Sequence, residues 1–408
     1  MNRLLLAILF LIAPVLANGA TYYVAKTGSN NNTCVQAQSG STPKLTIGAG
    51  LACMTGGDAL IIKGGTYTEG IGLNTIPSGT SNTQRTLIQA ATGEIVIING
   101  VNSLGDVVSI YDRSYITLDG LVIEGTNASQ LGIRVGGSGS GPYSHYITVQ
   151  NGTVRNAPAP TSGCISQQGP SGANSNLAFR NLQVHDCGVP GGETHGVYLT
   201  ARDSIIEYCT IYNNPGHGIH LYFGSIGVSN NIVRYNKVYD NGSFGILLGS
   251  GTNNVGYNNV VFGNGKRISA GGMWIAYNGA AGNKIYNNTI YNNNGCAIRI
   301  RNDGSAIVKN NICWGNANNS IVDEVGTAIL SNNMLTNPLF VDGPGGNFTL
   351  SADSPAINAG ATLTEVPDDF ARVPRPQGSA FDIGAFEFVT GNAQSTPSPS
   401  NLRLVGGN

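Results

Sequence analysis

Residues 284–301 read KIYNNTIYNNNGCAIRIR, and several earlier stretches of the chain can be laid over them. The aligned copies are IIEYCTIYNNPGHGIHLY (205–222), IVRYNKVYDNGSFGILLG (232–249) and VGYNNVVFGNGKRISAGGMWIA (255–276), with a weaker copy over 177–200 and a partial one over 307–316. Each copy has a short strand, a bend at an Asn or small residue, a second strand, a turn rich in Gly and Asn, and a third strand of the type Gly-Ile-x-Leu. Three short strands in every roughly 20–30 residues are typical of a parallel β-helix, whose successive coils stack on one another.

Equivalent residues of successive coils should form columns, because paired strands lie about 4.8 Å apart. The bend predicts an Asn column, the position two residues on predicts an aliphatic stack in the interior, and the next position predicts an aromatic column. These columns are Asn236, Asn259, Asn288 and Asn310; Val184, Ile211, Val238, Val261, Ile290 and Ile312; and Tyr212, Tyr239, Phe262 and Tyr291. We interpret all three as structural, since stacked amides can hydrogen-bond along the helix axis.

The Asn column and the three-strand coils resemble the asparagine ladder and coils of the pectate-lyase-like β-helix superfamily. The resemblance implies an all-β chain folded as a right-handed parallel β-helix, with an N-terminal cap and a short C-terminal extension. Caps of this kind cover the strand edges and core that the open end of a solenoid would otherwise expose.

The order of segments predicts a single exported domain. Residues 1–17, MNRLLLAILFLIAPVLA, combine one Arg, an apolar run too short to span a bilayer and a small-residue cleavage pattern, which indicates a signal peptide and a secreted or periplasmic protein. We then expect the cap and first coil over 18–70, the β-helix over 71–336, the C-terminal extension over 337–389 and a disordered tail rich in Ser, Pro and Asn over 390–408.

Seven cysteines in an exported chain favour disulfides. Cys34 and Cys53 are close in sequence within the predicted cap and form the first expected bridge. Cys164–Cys187 and Cys296–Cys313 are further candidate pairs. Cys209 falls in an inward column and is expected to be a small buried side chain.

Charge limits the class of partner. Charged residues make up 11% of the chain and the net charge is −1, which argues against binding nucleic acid or an anionic membrane. We expect a monomer that binds a polysaccharide.

The superfamily resemblance implies that substrate lies along the sheet that follows the Gly-rich turn. Strand alternation predicts an inward column of Val197, Ile219, Ile246, Met273 and Ile298. The predicted outward column is Tyr198, His220, Leu247, Trp274 and Arg299. Four coil steps span about 19 Å, the length of several sugar units, and Tyr, His, Trp and Arg side chains are suited to sugar rings, hydroxyls and carboxylates.

This column suggests β-elimination on a uronate polysaccharide, in which a cation neutralises the carboxylate, a base removes the C5 proton and an acid protonates the leaving oxygen. Tyr198 and His220 are one coil apart and are the predicted acid/base pair. Arg299 lies three coils from His220, about 14 Å, and would hold a neighbouring sugar. Arg202, or Lys266 and Arg267, would therefore be the neutralising cation.

The remaining predicted substrate contacts lie on flanking turns and at the groove end. Trp274 is predicted to pack on a sugar ring, with Arg299, Arg301, Lys266, Arg267 and His217 contacting the chain of sugars. Because cations concentrate at the Arg299 end, an acidic polysaccharide is favoured.

A glycoside hydrolase is the first alternative. Gly216-His217-Gly218 and Arg299-Ile300-Arg301 resemble motifs of polygalacturonases, but the carboxylate motifs of that family have no clear match here. Glycoside hydrolysis ordinarily needs two carboxyl groups, and only Glu193, Asp203 and Asp303 lie near the rims. The second alternative is a non-catalytic, adhesin-like β-helix that only binds glycans.

Metal ligands are sparse along the predicted groove. Calcium requires several clustered carboxylates, which the groove does not supply, so no cofactor is assigned. His217 and His220 share one segment without an evident third ligand, so no zinc site is predicted.

Overall fold

The computed structural model describes residues 19–72, 75–101, 105–137, 141–222, 227–277 and 279–390. The predicted signal peptide (1–17) and nearly all of the predicted tail (391–408) lie outside the described residues.

Within these residues the chain winds into coils whose strands form three parallel sheets. The strands of the first sheet are Thr21–Val24, Ala59–Ile62, Thr86–Ala90, Ser114–Asp119, His145–Gln150, Ala178–Arg180, Ile205–Glu207, Ile232–Arg234, Val255–Tyr257, Lys284–Tyr286, Ile307–Lys309 and Ile329–Ser331. The strands of the second are Gly65–Thr68, Val96–Asn99, Leu121–Glu124, Thr153–Arg155, Gln183–His185, Thr210–Tyr212, Lys237–Tyr239, Val260–Phe262, Thr289–Tyr291 and Ile312–Trp314. The strands of the third are Val108–Tyr111, Ile133–Gly136, Gly163–Gln168, His195–Leu199, Ile219–Leu221, Ile246–Gly249, Met273–Ala276, Cys296–Ile300 and Asn318–Asp323. This topology confirms the predicted three-strand parallel β-helix.

Helices contribute little to the part of the chain that the structure describes. A 3₁₀ helix spans Gln36–Gln38, and an α-helix spans Ile47–Leu51 and is capped by the Thr46 side chain. Neither is long enough to cross a membrane. Ile47 and Leu51 are buried in the same core as the first strands.

Stacked Asn side chains line all three corners of the coils, where the sequence predicted one such column. At each step a side-chain oxygen accepts the main-chain N–H of its neighbour in the previous coil, as when Asn259 accepts from Asn236 at 3.1 Å. The amides also satisfy carbonyl groups inside the turn, as between Asn259 and Val233 at 2.9 Å. The three ladders are Ser204, Asn231, Asn254, Asn283 and Asp303; Cys209, Asn236, Asn259, Asn288, Asn311 and Asn333; and Cys187, Asn214, Asn241, Asn264, Asn293 and Asn316.

The predicted alignment was wrong by one residue in the last coil. Asn311, not Asn310, continues the ladder, and Cys313, not Ile312, pairs with Ile290 in the aliphatic stack. Asn310 has φ 59° and occupies the corner residue before the ladder, where Asn tolerates the left-handed conformation. Because Asn310 and Asn311 are adjacent, the sequence alone did not show which of them continues the ladder.

The remaining predicted columns agree with the register. The rings of Tyr212, Tyr239 and Phe262 stack at 5.0 Å per step, and the His185 ring extends the stack at 4.6 Å from Tyr212. On the first sheet, Glu207 pairs with Arg180 and Arg234 at 2.5 and 2.7 Å and forms a surface ion-pair ladder.

Two of the candidate disulfides form. Cys34 bonds to Cys53 and Cys164 bonds to Cys187. The Cys296–Cys313 pair was wrong: both thiols are free, because Cys313 points into the core while Cys296 begins a strand of the third sheet. Cys209 is buried as predicted, and burial raises the pKa of its thiol to about 12.

The chain after the last coil packs on the outer faces of the first and second sheets. It contains an antiparallel pair, Phe340–Asp342 with Asn347–Leu350. Leu363, Val366 and Phe381 cover Tyr235 and other tyrosines of the first sheet, and Phe348 lies against Phe262 of the second.

Candidate functional site

The register places the five predicted outward residues in one column of the third sheet. Tyr198 pairs with His220, His220 with Leu247, Leu247 with Trp274, and Trp274 with Arg299. The alternate positions form the predicted inward column, and Val197, Ile219, Ile246, Met273 and Ile298 are all fully buried. The strand register therefore confirms the predicted alternation of inward and outward columns.

The middle of this column is not an open groove. Leu247 is 0% exposed and His220 6% exposed, although both side chains point away from the helix interior. Aromatic and imidazole rings from neighbouring positions enclose them. We name this set the ring cluster: His195, Tyr198, His217, His220, Tyr222, Phe244, Trp274 and Tyr277.

The sequence did not predict four of the eight residues of the ring cluster, which are His195, Tyr222, Phe244 and Tyr277. His195 and His217 each precede a Gly at the start of successive strands, in His-Gly-Val-Tyr-Leu and His-Gly-Ile-His-Leu, and their rings stack at 5.0 Å. Comparison of these two strands alone would have placed His195 beside the predicted site.

Three histidines meet at the centre of the ring cluster. His220 Nδ1 lies 2.9 Å from His195 Nε2, and His195 Nδ1 accepts the main-chain N–H of His217 at 2.9 Å. One ligand atom from each of the three lies within 4.8 Å of the others. The expectation that His217 and His220 lack a third histidine was wrong, because His195 comes from the preceding coil.

Burial keeps these histidines neutral. It lowers the pKa of His217 to about 4 and those of His195 and His220 well below the usual value, and at His195 and His220 the neighbouring imidazoles add a smaller lowering. The Arg267 guanidinium also lowers the pKa values of His195 and His217. His217 Nδ1 and His220 Nε2 are buried without a hydrogen-bond partner.

A glycine makes room for the His195 ring. A Cβ atom at Gly216 would lie 2.4 Å from His195 Nδ1 and 2.5 Å from the carbonyl oxygen of Glu193. The Gly216-His217-Gly218 segment that resembled a polygalacturonase motif is thus required here by the close approach of two coils.

Tyr198 and His220 are in direct ring contact, with centroids 5.0 Å apart. Burial raises the pKa of Tyr198 to about 12, and the nearby Tyr222 and Tyr277 add to the increase. Tyr222 in turn stacks on His220 at 5.2 Å. The two predicted catalytic side chains therefore share one aromatic environment.

Trp274 is partly enclosed by other side chains. Phe244 stacks on it at 4.9 Å, Tyr277 lies at 5.4 Å, and the Arg299 guanidinium carbon lies 5.6 Å from its ring. Its Nε1 is buried without a partner. A cavity of about 210 Å³ borders the ring and is lined by Trp274, Tyr277, Arg301 and Asn302.

Each predicted cation has an acidic partner. Lys266 pairs with Asp240 at 3.1 Å and Arg267 with Glu193 at 3.2 Å. Glu324, not considered in the sequence, pairs with both Arg299 and Arg301, at 2.5 and 3.6 Å. The local excess of positive charge predicted at this end is therefore largely balanced.

Arg202 makes its contacts at a corner of the coils. Its guanidinium pairs with Asp203 and donates to the Gly172 carbonyl at 3.0 Å, at the corner leading to the first sheet. Asp303, predicted at the rim, is instead fully buried at the end of an Asn ladder. Among the predicted cations, Arg267 is the one whose charge acts on two histidines of the ring cluster.

Comparisons with known proteins agree with this architecture. Residues 102–280 match the family described as "Right handed beta helix region". A crystal structure of pectate lyase Pel9A is similar with a TM-score of 0.65 and 19% identity, covering 90% of this chain and 96% of that one. The complex of XylC with xylose is similar with a TM-score of 0.54 and 14% identity, covering 74% of this chain and 70% of that one. No curated protein sequence matches the chain.

Coil topology, Asn ladders and these likenesses together define the class: a right-handed parallel β-helix. More particularly, the chain has a fold like that of pectate lyase Pel9A.

Proposed function

We propose that this protein is an exported polysaccharide lyase that cleaves a uronate-containing polysaccharide by β-elimination at the ring cluster. The observation that carries the proposal is the contact between Tyr198 and His220 on the outer face of the third sheet. The names of the similar structures, a pectate lyase and a xylose complex, support a carbohydrate ligand. Two disulfides support export from the cytoplasm.

β-Elimination requires a cation that neutralises the carboxylate, a base that removes the C5 proton and an acid that protonates the leaving oxygen. Tyr198 is the proposed proton carrier, with His220 beside it. Its phenolate would remove the C5 proton, and the resulting phenol would protonate the leaving oxygen as the double bond forms, which regenerates the phenolate. Because burial raises the pKa of Tyr198 to about 12, this step should become faster as the pH rises. Arg267 is the proposed carboxylate partner, because its charge already acts on His195 and His217. A uronate carboxylate would compete with Glu193 for this guanidinium.

The rest of the sugar chain would extend along the column toward Trp274 and Arg299. These residues are two and three coil steps from His220, or about 10 and 14 Å. Arg299 and Arg301 would bind neighbouring sugars there, with Trp274 beside the cavity.

The test is incubation of purified protein with a panel of uronate and neutral polysaccharides. We expect an unsaturated product that absorbs in the ultraviolet, formed only from uronate substrates. Reducing ends without that absorbance would identify a hydrolase instead, and binding without cleavage would identify a glycan-binding protein. Either result would refute the proposed lyase activity.

Variants separate catalysis from folding. Tyr198→Phe removes the hydroxyl and retains the ring, so we expect activity to fall at least about a hundredfold, since a positioned proton-transfer group contributes about 10²–10⁴-fold. Tyr239→Phe is the matched control, because Tyr239 stacks on the second sheet. Equal activity of the two variants would remove Tyr198 from the mechanism.

A further inference from the structure

The hydrogen-bond pattern of the three histidines determines where their protons lie. A main-chain N–H can only donate, so the His217 N–H donates to His195 Nδ1, 2.9 Å away. His195 Nδ1 therefore carries no hydrogen. In a neutral imidazole the hydrogen is then on Nε2.

The same reasoning extends to the next ring. His195 Nε2–H lies 2.9 Å from His220 Nδ1 and donates to it. His220 is then the tautomer with its hydrogen on Nε2. That Nε2 atom is buried and has no hydrogen-bond partner among the residues that the structure describes.

We infer that His195 is a positioning residue that holds His220 as a hydrogen-bond donor, with its Nε2–H directed at a substrate oxygen. This inference rests on the proposed function and refines it. It makes His220 a donor to a uronate carboxylate or enolate oxygen and leaves proton transfer to Tyr198, whose ring contacts His220.

Burial suits His220 to this role. A buried N–H without a partner is unfavourable in the free protein, and a substrate oxygen would satisfy it. A neutral imidazole can polarise an oxygen by hydrogen bonding without surrendering its proton. Because Nε2 is closed to solvent, a neighbouring ring such as Tyr222 has to shift when substrate binds.

The same pattern opposes a metal centre on these three histidines, although their ligand atoms lie within 4.8 Å of one another. A metal binds the lone pair of a neutral imidazole. The one lone pair of His195 already accepts the His217 N–H, so a metal at Nε2 would require His195 to lose its remaining proton or its ring to turn over.

Nitrogen NMR tests the assignment directly. The chain has only five histidines, so selective ¹⁵N labelling of imidazoles gives a simple spectrum. We expect that near neutral pH both His195 and His220 carry a hydrogen on Nε2 and none on Nδ1. A hydrogen on His220 Nδ1 would overturn the inference.

Substitutions test the role of His195. His195→Phe removes both ring nitrogens, so the His220 spectrum should change to a mixture of tautomers, whereas His195→Gln can still donate near the Nε2 position and should retain much of the original spectrum. His185→Phe, in the aromatic stack of the second sheet, is the control. An unchanged His220 tautomer in folded His195→Phe protein would contradict the inference.

Activity and zinc titration complete the test. On a uronate polysaccharide that the protein cleaves, His195→Phe should lower kcat/KM about 10–100-fold, the usual effect of losing a residue that orients an imidazole, and His195→Gln should recover part of it.

Stoichiometric zinc binding that is lost in His195→Phe would overturn the hydrogen-bonded arrangement. If the protein cleaves no polysaccharide, the proposed function fails while the NMR result still decides the tautomer.

Discussion

At the scale of single residues, the site depends on atoms that approach closely between coils. His195 begins the strand His195–Leu199, and its ring occupies space left by the missing side chain of Gly216. His220 is held one coil away by strand pairing with Tyr198. The position of each imidazole is therefore set by the neighbouring coil as much as by its own.

Gly216→Ala should disturb this arrangement. The added methyl group would collide with His195 Nδ1 and with the immovable Glu193 carbonyl, so we expect a large loss of any activity and a changed His195 NMR signal. Gly40→Ala is the control, because its nearest heavy atom lies 3.6 Å from a Cβ there. Normal His195 signals in folded Gly216→Ala protein would show that the close approach is unimportant.

Acid should destabilise the protein through these histidines. Their folded-state pKa values are lowered, that of His217 to about 4, so the unfolded chain binds more protons once the pH falls below about 6.5. The free energy of unfolding should therefore decrease from pH 6.5 toward pH 4. Urea denaturation at several pH values measures this, and His217→Phe should show a shallower decrease than the wild type; equal slopes would contradict the assignment.

At the scale of elements, the short strands hold together because the corners between them are hydrogen-bonded internally. Asn259 donates to the Val233 carbonyl and to Asn288, and it accepts from the main chain and side chain of Asn236. Buried polar groups are costly unless they are paired. The ladders thus allow tight, buried turns between strands of three or four residues.

Asn259→Ala should destabilise the protein by about 3 kcal/mol or more, because it leaves several buried groups without partners at about 1–3 kcal/mol each. Asn294 is an exposed residue that donates one part-buried hydrogen bond to the Gly265 carbonyl. Asn294→Ala should therefore cost only about 1 kcal/mol. The difference is measured as the free energy of unfolding in urea. Similar values for the two variants would refute the structural importance of the ladder.

At the scale of the whole molecule, the C-terminal extension contains a buried ion pair whose arginine also hydrogen-bonds to the coils. Arg375 and Glu387 side chains are both 0% exposed, and Arg375 also donates to Asn258 Oδ1 of the coils at 3.3 Å and to the Gly384 carbonyl at 2.9 Å. The extension covers the first and second sheets, while the ring cluster lies on the third.

Arg375→Ala should therefore destabilise the protein by about 3–5 kcal/mol, since it removes the cation that balances the buried Glu387 carboxylate. Arg372→Ala is the comparison: its side chain is 45% exposed, pairs with Asp368, and contacts Tyr208 and Tyr235 of the coils, so its loss should cost less, about 1–2 kcal/mol. Thermal and urea denaturation provide the comparison. A stable Arg375→Ala variant would mean that the extension docks mainly through its apolar contacts.

The sequence repeat alone was enough to predict the fold and the outward column. Equivalent positions recur once in every repeat, and this spacing can be read directly from the sequence. It could not specify what covers that column. Strand alternation predicts that Leu247 is exposed, but it is fully buried in the column between His220 and Trp274. The position of His195 beside His220 and the pairing of Glu324 with Arg299 and Arg301 both depend on contacts between coils, so the sequence did not predict them. Side-chain packing and proton position depend on three-dimensional neighbours about 20–30 residues away in the chain, and only the tertiary structure brings those together.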